Sequence, residues 1–156
     1  MACGRGRHTR FFLARGHRVV AIDRDVSGIA DLMGDPQLEV IQLDLERDEP
    51  FPPRRFEGVV VTNYLYRPLL PELVGAVAPG GALIYETFVK GHERLGLPSN
   101  PDFLLDPGEL LEAVRGRLEV IAYEDAMETE RHPAIVQHIC AVNTRDILSL
   151  EMDSEE

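Results

Sequence analysis

The stretch Ala2-Cys3-Gly4-Arg5-Gly6-Arg7 carries two glycines separated by one residue and lies at the start of the chain. A Gly-x-Gly turn that leads into a helix is a nucleotide-binding device, because glycine has no Cβ and lets the backbone approach a ligand closely. Such a turn normally follows a β-strand, and here only Met1 precedes it. The stretch therefore predicts a nucleoside-binding site whose first supporting strand is missing.

A second element of such a site follows seventeen residues after Gly6. Asp23 ends the apolar run 18–22, which is typical of a short strand. A carboxylate at the tip of the second strand of a dinucleotide-type fold can accept hydrogen bonds from both ribose hydroxyls. Asp23 is therefore a candidate ribose-binding residue.

Composition limits the classes of partner and compartment. The 156 residues have a net charge of −11 and a pI near 4.9, which disfavours general attraction to nucleic acid or to an anionic membrane. Two cysteines form no disulfide framework and indicate a reducing compartment, and no apolar run reaches membrane length. We expect a cytoplasmic protein with one domain over residues 1–143 and a disordered acidic tail over 144–156.

Helical and strand patterns alternate through most of the chain and predict an α/β fold with a mostly parallel sheet. A helix from Asp25 to Met33 and a second from Pro68 to Ala78 separate strands, and Pro79-Gly80-Gly81 is expected to end the second helix before the next strand. The last two strands are joined by a polar connection and indicate an antiparallel hairpin. The expected strands are 18–22, 38–43, 57–62, 82–88, 118–123 and 134–142.

In this arrangement the chain resembles the class I S-adenosylmethionine-dependent methyltransferases. The segments that carry the resemblance follow the family's order: Ala2-Cys3-Gly4-Arg5-Gly6, Asp23, Asp44-Leu45, Thr62-Asn63-Tyr64-Leu65 and Pro79-Gly80-Gly81. The closing hairpin corresponds to the family's reversed seventh strand. Gly4-Arg5-Gly6-Arg7-His8 and the segment 103–111 further resemble small bacterial methyltransferases of the tellurite-resistance type.

The resemblance implies a Rossmann-like sheet with strand order 3-2-1-4-5-7-6, in which strand 1 is central and precedes the glycine turn. In this chain that strand is expected to be missing, which would leave about 10 Å, two inter-strand spacings, between its neighbours. Loss of upstream sequence and a genuine fragment are both compatible with this expectation.

The resemblance also implies a cofactor, S-adenosylmethionine, and methyl transfer to a small-molecule acceptor by in-line displacement. Gly4 and Gly6 would admit the methionine part with Arg7 as a possible carboxylate partner, Asp23 would hold the ribose, and Asp44 would bind the adenine amino group. No metal site is expected. The cofactor-side candidates are Cys3, Gly4, Gly6, Arg7, Asp23, Arg24, Asp44, Leu45 and Asn63.

Catalytic or acceptor-side candidates lie at the ends of the family's strands 4 and 5 and in the loop 90–105, because ligands bind outside the carboxyl ends of parallel strands. His92 is either a base or an exposed loop histidine without a role, and Glu86 either faces the acceptor or only hydrogen-bonds nearby. His132 and His138 fall in the hairpin region with no metal-type spacing, and Tyr85 is expected to be packing. The candidates are Tyr64, Tyr66, Arg67, Glu86 and His92.

Two other functions compete with methyl transfer. A nicotinamide-dependent oxidoreductase would also use a Gly-x-Gly turn and a strand-end acid, but Thr9 occupies the place of the third glycine of its fingerprint and a reversed terminal hairpin does not suit that fold. A truncated, non-catalytic domain would lack cofactor binding or need a partner to complete its sheet. The sequence does not indicate an oligomeric state.

Overall fold

The computed structural model describes residues 1–47, 50–129 and 133–144, and these form two compact units. The first unit is Met1–Phe51, and the second begins at Pro52. The single domain expected over residues 1–143 stays a prediction. The acidic tail expected over 144–156 lies, from residue 145 onward, outside the described residues.

The first unit contains α1 (Arg7–Leu13), β1 (Val19–Asp23), a 3-10 helix (Ser27–Leu32) and β2 (Leu38–Gln42). The two strands pair in parallel, so that Asp23 lies opposite Gln42. Their β-branched residues favour extended backbone, and Ala21 and Ile22 of β1 are buried with Ile29 of the 3-10 helix. The carboxyl ends of both strands therefore lie side by side.

The helix expected from Asp25 to Met33 is wrong in type and length. The segment forms a 3-10 helix that begins at Ser27, and Ile29 within it has a non-helical φ of −124°. The Asp25 carboxylate accepts a hydrogen bond from the Ser27 N–H at 3.0 Å. A 3-10 geometry suits this short stretch, whose Gly28 disfavours a regular α-helix.

The second unit is an α/β structure around a four-stranded sheet with strand order β3-β4-β6-β5. Strands β3 and β4 are parallel, whereas β6 is antiparallel to both β4 and β5, which confirms the expected terminal hairpin. Its elements are β3 (Phe56–Thr62), a 3-10 helix (Arg67–Leu69), α2 (Leu70–Gly75), β4 (Val77–Phe88), 3-10 helices His92–Arg94 and Pro101–Phe103, α3 (Glu109–Val114), β5 (Glu119–Glu128) and β6 (Ala134–Val142).

One face of this sheet forms the core of the unit. Helix α2 packs against β4, and α3 packs against β6. Side chains alternate along both strands, so that one set points toward these helices and the other, which includes Ile84 and Glu86, lies on the opposite face. Ile84 is 45% exposed. Buried residues that point toward the helices include Leu83, Tyr85, Thr87, Gln137, Ile139 and Ala141, and Val136 on the opposite face is buried as well.

The turn expected at Pro79-Gly80-Gly81 lies inside β4, and α2 already ends at Gly75. Asn143 explains the difference, because it receives a hydrogen bond from the Gly80 N–H at 2.8 Å and donates one from its own N–H to the Gly81 carbonyl at 3.0 Å. These bonds extend the ladder beyond Ala82. The glycines thus mark an irregular strand and not a helix end.

Within each unit, the strand order agrees with the corresponding part of the order that the resemblance implied. The pair β2-β1 corresponds to strands 3-2, and β3-β4-β6-β5 corresponds to strands 4-5-7-6. No strand among the described residues pairs with the second edge of β1 or the second edge of β3. The Cys3 N–H nevertheless donates to the Ile22 carbonyl at 3.3 Å, so the backbone before the glycine turn contacts the edge of β1.

Candidate functional site

The glycine turn is hydrogen-bonded to the end of β1. The Gly4 N–H donates to the Asp23 Oδ2 at 2.9 Å, and within the turn the Gly6 N–H donates to the Cys3 carbonyl at 2.8 Å. Gly4 and Gly6 have φ values of +49° and +76°, which L side chains rarely adopt. The turn is thus defined by backbone conformation and by one carboxylate.

The two glycines of the turn differ in what surrounds them. A Cβ on Gly4 would have no heavy atom within 4 Å, so space is open there, whereas a Cβ on Gly6 would lie 2.4 Å from Cγ2 of the buried Ile29. A Cβ on Gly28 would lie 2.5 Å from the Gly4 carbonyl oxygen and 3.0 Å from Cα of Arg5. Close packing on the 3-10 helix therefore supports the turn, and Gly4 leaves room for a ligand.

Asp23 and Asp44 follow the carboxyl ends of adjacent parallel strands. The second oxygen of Asp23 accepts from the Asp25 N–H at 3.0 Å, so each carboxylate oxygen holds one backbone donor and keeps acceptor capacity. Asp44 accepts from the Glu46 N–H at 3.2 Å and forms an ion pair of 3.2 Å with Nε of Arg47. Both acids expected to contact the nucleoside lie at one end of the two-stranded sheet.

The other cofactor-side candidates of the first unit surround this turn in sequence. Arg7 and Arg24 are exposed, and Leu45 is half-buried. Burial and the nearby Asp23 carboxylate raise the pKa of the half-buried Cys3 thiol, which makes it a poorer nucleophile. The open space at Gly4 and the free acceptor capacity of Asp23 fit the aminoacyl and ribose parts of S-adenosylmethionine.

In the second unit, the backbone after β3 is held in a left-handed conformation. Asn63 has a φ of +53°, and its N–H donates to the Glu86 carbonyl at 2.9 Å. The hydroxyl of Tyr85, a side chain only 1% exposed, donates to the Tyr64 carbonyl at 2.7 Å, and burial raises the pKa of Tyr85 far above its usual range. Non-glycine residues with a left-handed backbone, such as Asn63, cluster at functional sites. The half-buried Tyr64 is thus presented on a fixed turn.

Arg67 holds the loop 90–105 and α3. Its Nε and Nη2 donate to the two oxygens of Glu109 at 2.7 and 2.9 Å, and further bonds reach the carbonyls of Asp102 at 3.0 Å and Leu104 at 2.8 Å. The hydrogen bonds that Arg67 donates to the Glu109 carboxylate raise the pKa of Arg67. This placement does not support the expected acceptor-side role of Arg67, because its donors are used within the fold. Tyr66, which precedes it, is half-buried.

His92 is not the exposed loop residue that the sequence suggested, because it is only 4% exposed. The Ile135 N–H donates to its Nδ1 at 3.2 Å, so the ring proton lies on Nε2, which is 3.0 Å from the Leu97 carbonyl. Its ring stacks on Phe88 with centroids 4.3 Å apart. The one lone pair available for base catalysis is occupied, so the geometry makes His92 a loop anchor.

Glu86 has a partner that the sequence did not indicate. Its Oε2 lies 3.1 Å from Nδ1 of His138, and Nε2 of the same ring lies 3.5 Å from Oε1 of Glu128. The pairing register of β4 and β6 places Glu86 opposite His138, which spacing along the chain could not reveal. His132 lies outside the described residues.

The described residues provide neither a metal-type cluster nor a membrane-spanning helix. Within residues 1–47, 50–129 and 133–144, no group of three or more His, Cys, Asp or Glu side chains could hold a metal ion. In the same part of the chain, no helix is both long and apolar enough to cross a membrane.

Comparison with known proteins shows similarity at the level of structure. No protein-family profile and no curated protein matches the chain. TehB from Haemophilus influenzae matches 91% of the chain with a TM-score of 0.72 at 17% identity, and the chain spans 55% of its length. An S-adenosylmethionine-dependent methyltransferase from Mesorhizobium loti matches 91% of the chain and 88% of its own, with a TM-score of 0.69 at 15% identity.

A third solved structure, the N-methyltransferase NodS from Bradyrhizobium japonicum WM9, matches 91% of the chain and 82% of its own. Its TM-score is 0.66 at 15% identity. At identities this low, structural similarity shows a shared fold but not a shared activity. The chain has the Rossmann-like class I fold of the S-adenosylmethionine-dependent methyltransferases.

Proposed function

We propose that this protein transfers a methyl group from S-adenosylmethionine to a small-molecule acceptor. The observation that carries the proposal is the glycine turn: it is hydrogen-bonded to Asp23, packed on Gly28 and open at Gly4. A fold shared with S-adenosylmethionine-dependent methyltransferases supports the same cofactor.

In this proposal the first unit holds the cofactor. The backbone at Gly4 accommodates the methionine part with Arg7 nearby in sequence, the Asp23 carboxylate accepts the ribose hydroxyls, and Asp44 with Leu45 contacts the adenine. When bound, S-adenosylmethionine supplies an electrophilic methyl group on a sulfonium sulfur. The protein orients the groups and excludes water, which accounts for most of the rate enhancement in such reactions.

In the second unit, taken by itself, the turn after β3 and the loop 90–105 are the candidate acceptor-binding segments. Asn63 and Tyr64 stand on the turn after β3, which two hydrogen bonds fix to β4. The loop 90–105 presents large exposed apolar side chains, namely Leu95, Leu97 and Phe103. These suit an acceptor with an apolar part, and the net charge of −11 disfavours a nucleic acid.

Both cysteines are free, which fits a reducing compartment, and we place the enzyme in the cytoplasm.

Calorimetric titration of the purified chain with S-adenosylhomocysteine tests the proposal, with NADH as the competing ligand. We expect micromolar binding of the former and none of the latter. Asp23→Ala should weaken binding at least about tenfold, because it removes hydrogen bonds to ligand and to the turn. Asp23→Asn, which retains one acceptor oxygen, should weaken it less. Undiminished affinity in Asp23→Ala would refute the ribose assignment, and no binding by the wild type would refute the function.

A further inference from the structure

The contact between Glu86 and His138 determines where the imidazole carries its proton. A carboxylate accepts hydrogen bonds and donates none, so Nδ1, which lies 3.1 Å from Glu86, carries the hydrogen in the neutral ring. Nε2 then has a free lone pair. Glu128 is 3.5 Å from Nε2 and its side chain is 52% exposed, so this carboxylate is a weak and displaceable neighbour. The ring is thereby oriented as a base.

The pair lies at the end of the sheet where the acceptor is expected. Thr62, Glu86 and His138 face one another across β3, β4 and β6. Thr62 directly precedes Asn63, whose N–H donates to the backbone carbonyl of Glu86. The imidazole is thus two strands away from the left-handed turn, on the sheet face opposite α2 and α3. The His138 side chain is 30% exposed, so the ring is partly accessible to a small molecule.

The charges around His138 favour one class of acceptor. Glu86 on β4 and Glu124 and Glu128 on β5 share its face of the sheet, and Glu124 lies directly opposite it in register. Three carboxylates stabilise a cation and repel an anion at this position. An acceptor that arrives protonated, as amines do at neutral pH, is therefore favoured over a carboxylate or an inorganic oxyanion.

We propose that His138 is the catalytic base, that Glu86 is its positioning residue, and that the acceptor is an amine. The inference rests on the function proposed above. Nε2 of His138 first takes one proton from the ammonium form of the acceptor and passes it to solvent. The amine lone pair then forms the N–C bond while the C–S bond breaks, and the electron pair of the C–S bond goes to sulfur to give the thioether. The methylated product leaves as an ammonium ion.

The tautomer is tested without turnover. In ¹⁵N-labelled protein at alkaline pH, two-bond ¹H–¹⁵N spectra should show His138 protonated at Nδ1, with its signals assigned by their absence in His138→Asn. Glu86→Gln should give a mixture of tautomers, because an amide can either donate or accept. A wild-type ring protonated at Nε2 would overturn the proposal.

Acceptor class is tested with four compounds that share one apolar body: phenethylamine, 2-phenylethanol, 2-phenylethanethiol and 3-phenylpropionate. Tritium transfer from methyl-labelled S-adenosylmethionine is measured for each. We expect methylation of the amine at least about tenfold faster than of the others. His138→Asn keeps a donor for Glu86 but has no base, so its kcat should fall about 100-fold. In Glu86→Gln the kcat should fall about tenfold, because the ring loses the carboxylate that orients it.

Binding measurements separate this inference from the proposed function. Affinity for S-adenosylhomocysteine should be the same in wild type, His138→Asn and the control Glu119→Gln, which removes a carboxylate at the far end of β5. If the wild type binds S-adenosylhomocysteine but does not methylate the amine, or if His138→Asn retains wild-type kcat, the inference is wrong and the function stands. If the wild type does not bind, both fail.

Discussion

Single residues hold the glycine turn from two sides. The Asp23 carboxylate accepts the Gly4 N–H, and the absence of a side chain at Gly28 lets the 3-10 helix approach the Gly4 carbonyl. The first contact needs a hydrogen-bond acceptor beside the Gly4 N–H, and the second needs a residue without a side chain beside the Gly4 carbonyl. A turn with a positive φ at Gly4 keeps its shape because both conditions are met.

Gly28→Ala should displace the turn. The new methyl group would lie 2.5 Å from the Gly4 carbonyl oxygen, and backbone atoms cannot yield as a flexible side chain can. We expect a loss of about 1–3 kcal/mol in the free energy of unfolding and weaker binding of S-adenosylhomocysteine, measured by urea denaturation and calorimetry. Gly58→Ala is the matched control, because a Cβ there meets no atom within 4 Å. Equal behaviour of the two variants would contradict the packing argument.

Tyr85→Phe should loosen the turn at Asn63 and Tyr64 without opening a cavity. The substitution removes the hydroxyl that donates to the Tyr64 carbonyl and keeps the buried ring. Leaving that carbonyl without its partner should cost about 1–3 kcal/mol in the free energy of unfolding and lower kcat. Val114→Ala, at a buried position of α3, controls for a general loss of stability. A kcat that falls no further in Tyr85→Phe than in the control would exclude a positioning role.

At the scale of elements, the loop 90–105 is fixed from two directions. Arg67 binds two of its backbone carbonyls and Glu109, while His92 binds the backbone of Ile135 on β6. Lys90 also pairs with Asp106, and this hydrogen bond lowers the pKa of the Asp106 carboxyl. The loop has little repetitive structure of its own, so these side chains determine its course.

Arg67→Lys should release the loop although it keeps the positive charge. An ammonium group cannot reproduce the fork that reaches Glu109 and the carbonyls of Asp102 and Leu104 at once. Limited chymotrypsin digestion should therefore cleave the loop at Leu95 or Phe103 several times faster than in wild type. Arg94→Lys, an exposed position in the same loop, should leave the rate unchanged. Unaltered cleavage in Arg67→Lys would mean that the guanidinium fork is not needed to hold the loop.

At the scale of the whole chain, the two units differ in how their strands are supported. Strands β4 and β6 each pair on both sides, whereas β5 is an edge strand and the sheet of the first unit has two strands. Two-stranded sheets are marginally stable, and edge strands expose their backbone groups to water. Protection should therefore be uneven along the chain.

Hydrogen exchange followed by mass spectrometry should show this pattern. Peptides from β4 and β6 should exchange more slowly than those from β5, and peptides from Met1–Phe51 should exchange fastest among the structured segments. Saturating S-adenosylhomocysteine should slow exchange around Gly4 and Asp23, because a ligand stabilises the state that binds it. NADH provides the matched control. Ligand protection confined to β5 would place the cofactor elsewhere.

Much of the fold could be predicted because its signals are local. The glycine turn, the acid that ends β1, the alternating strands and the reversed hairpin depend on near neighbours in sequence. The strand positions agree to within one residue, except that β4 already begins at Val77 and β5 runs on to Glu128. The prediction of a turn at Pro79-Gly80-Gly81 was wrong because this segment forms backbone hydrogen bonds with Asn143, which is distant in sequence. These bonds make the segment part of a strand.

The sequence by itself determined the α/β class and the residues around the glycine turn, since backbone conformation and hydrophobic period are written in short segments. The strand order was implied only by the family resemblance. Tertiary structure alone decided which polar side chains have partners. It made His92 and Arg67 anchors of the loop 90–105 and placed Glu86 beside His138 on the neighbouring strand. It also packed Gly28 of the 3-10 helix against the glycine turn. Such contacts depend on register and packing between distant segments, and no local pattern encodes them.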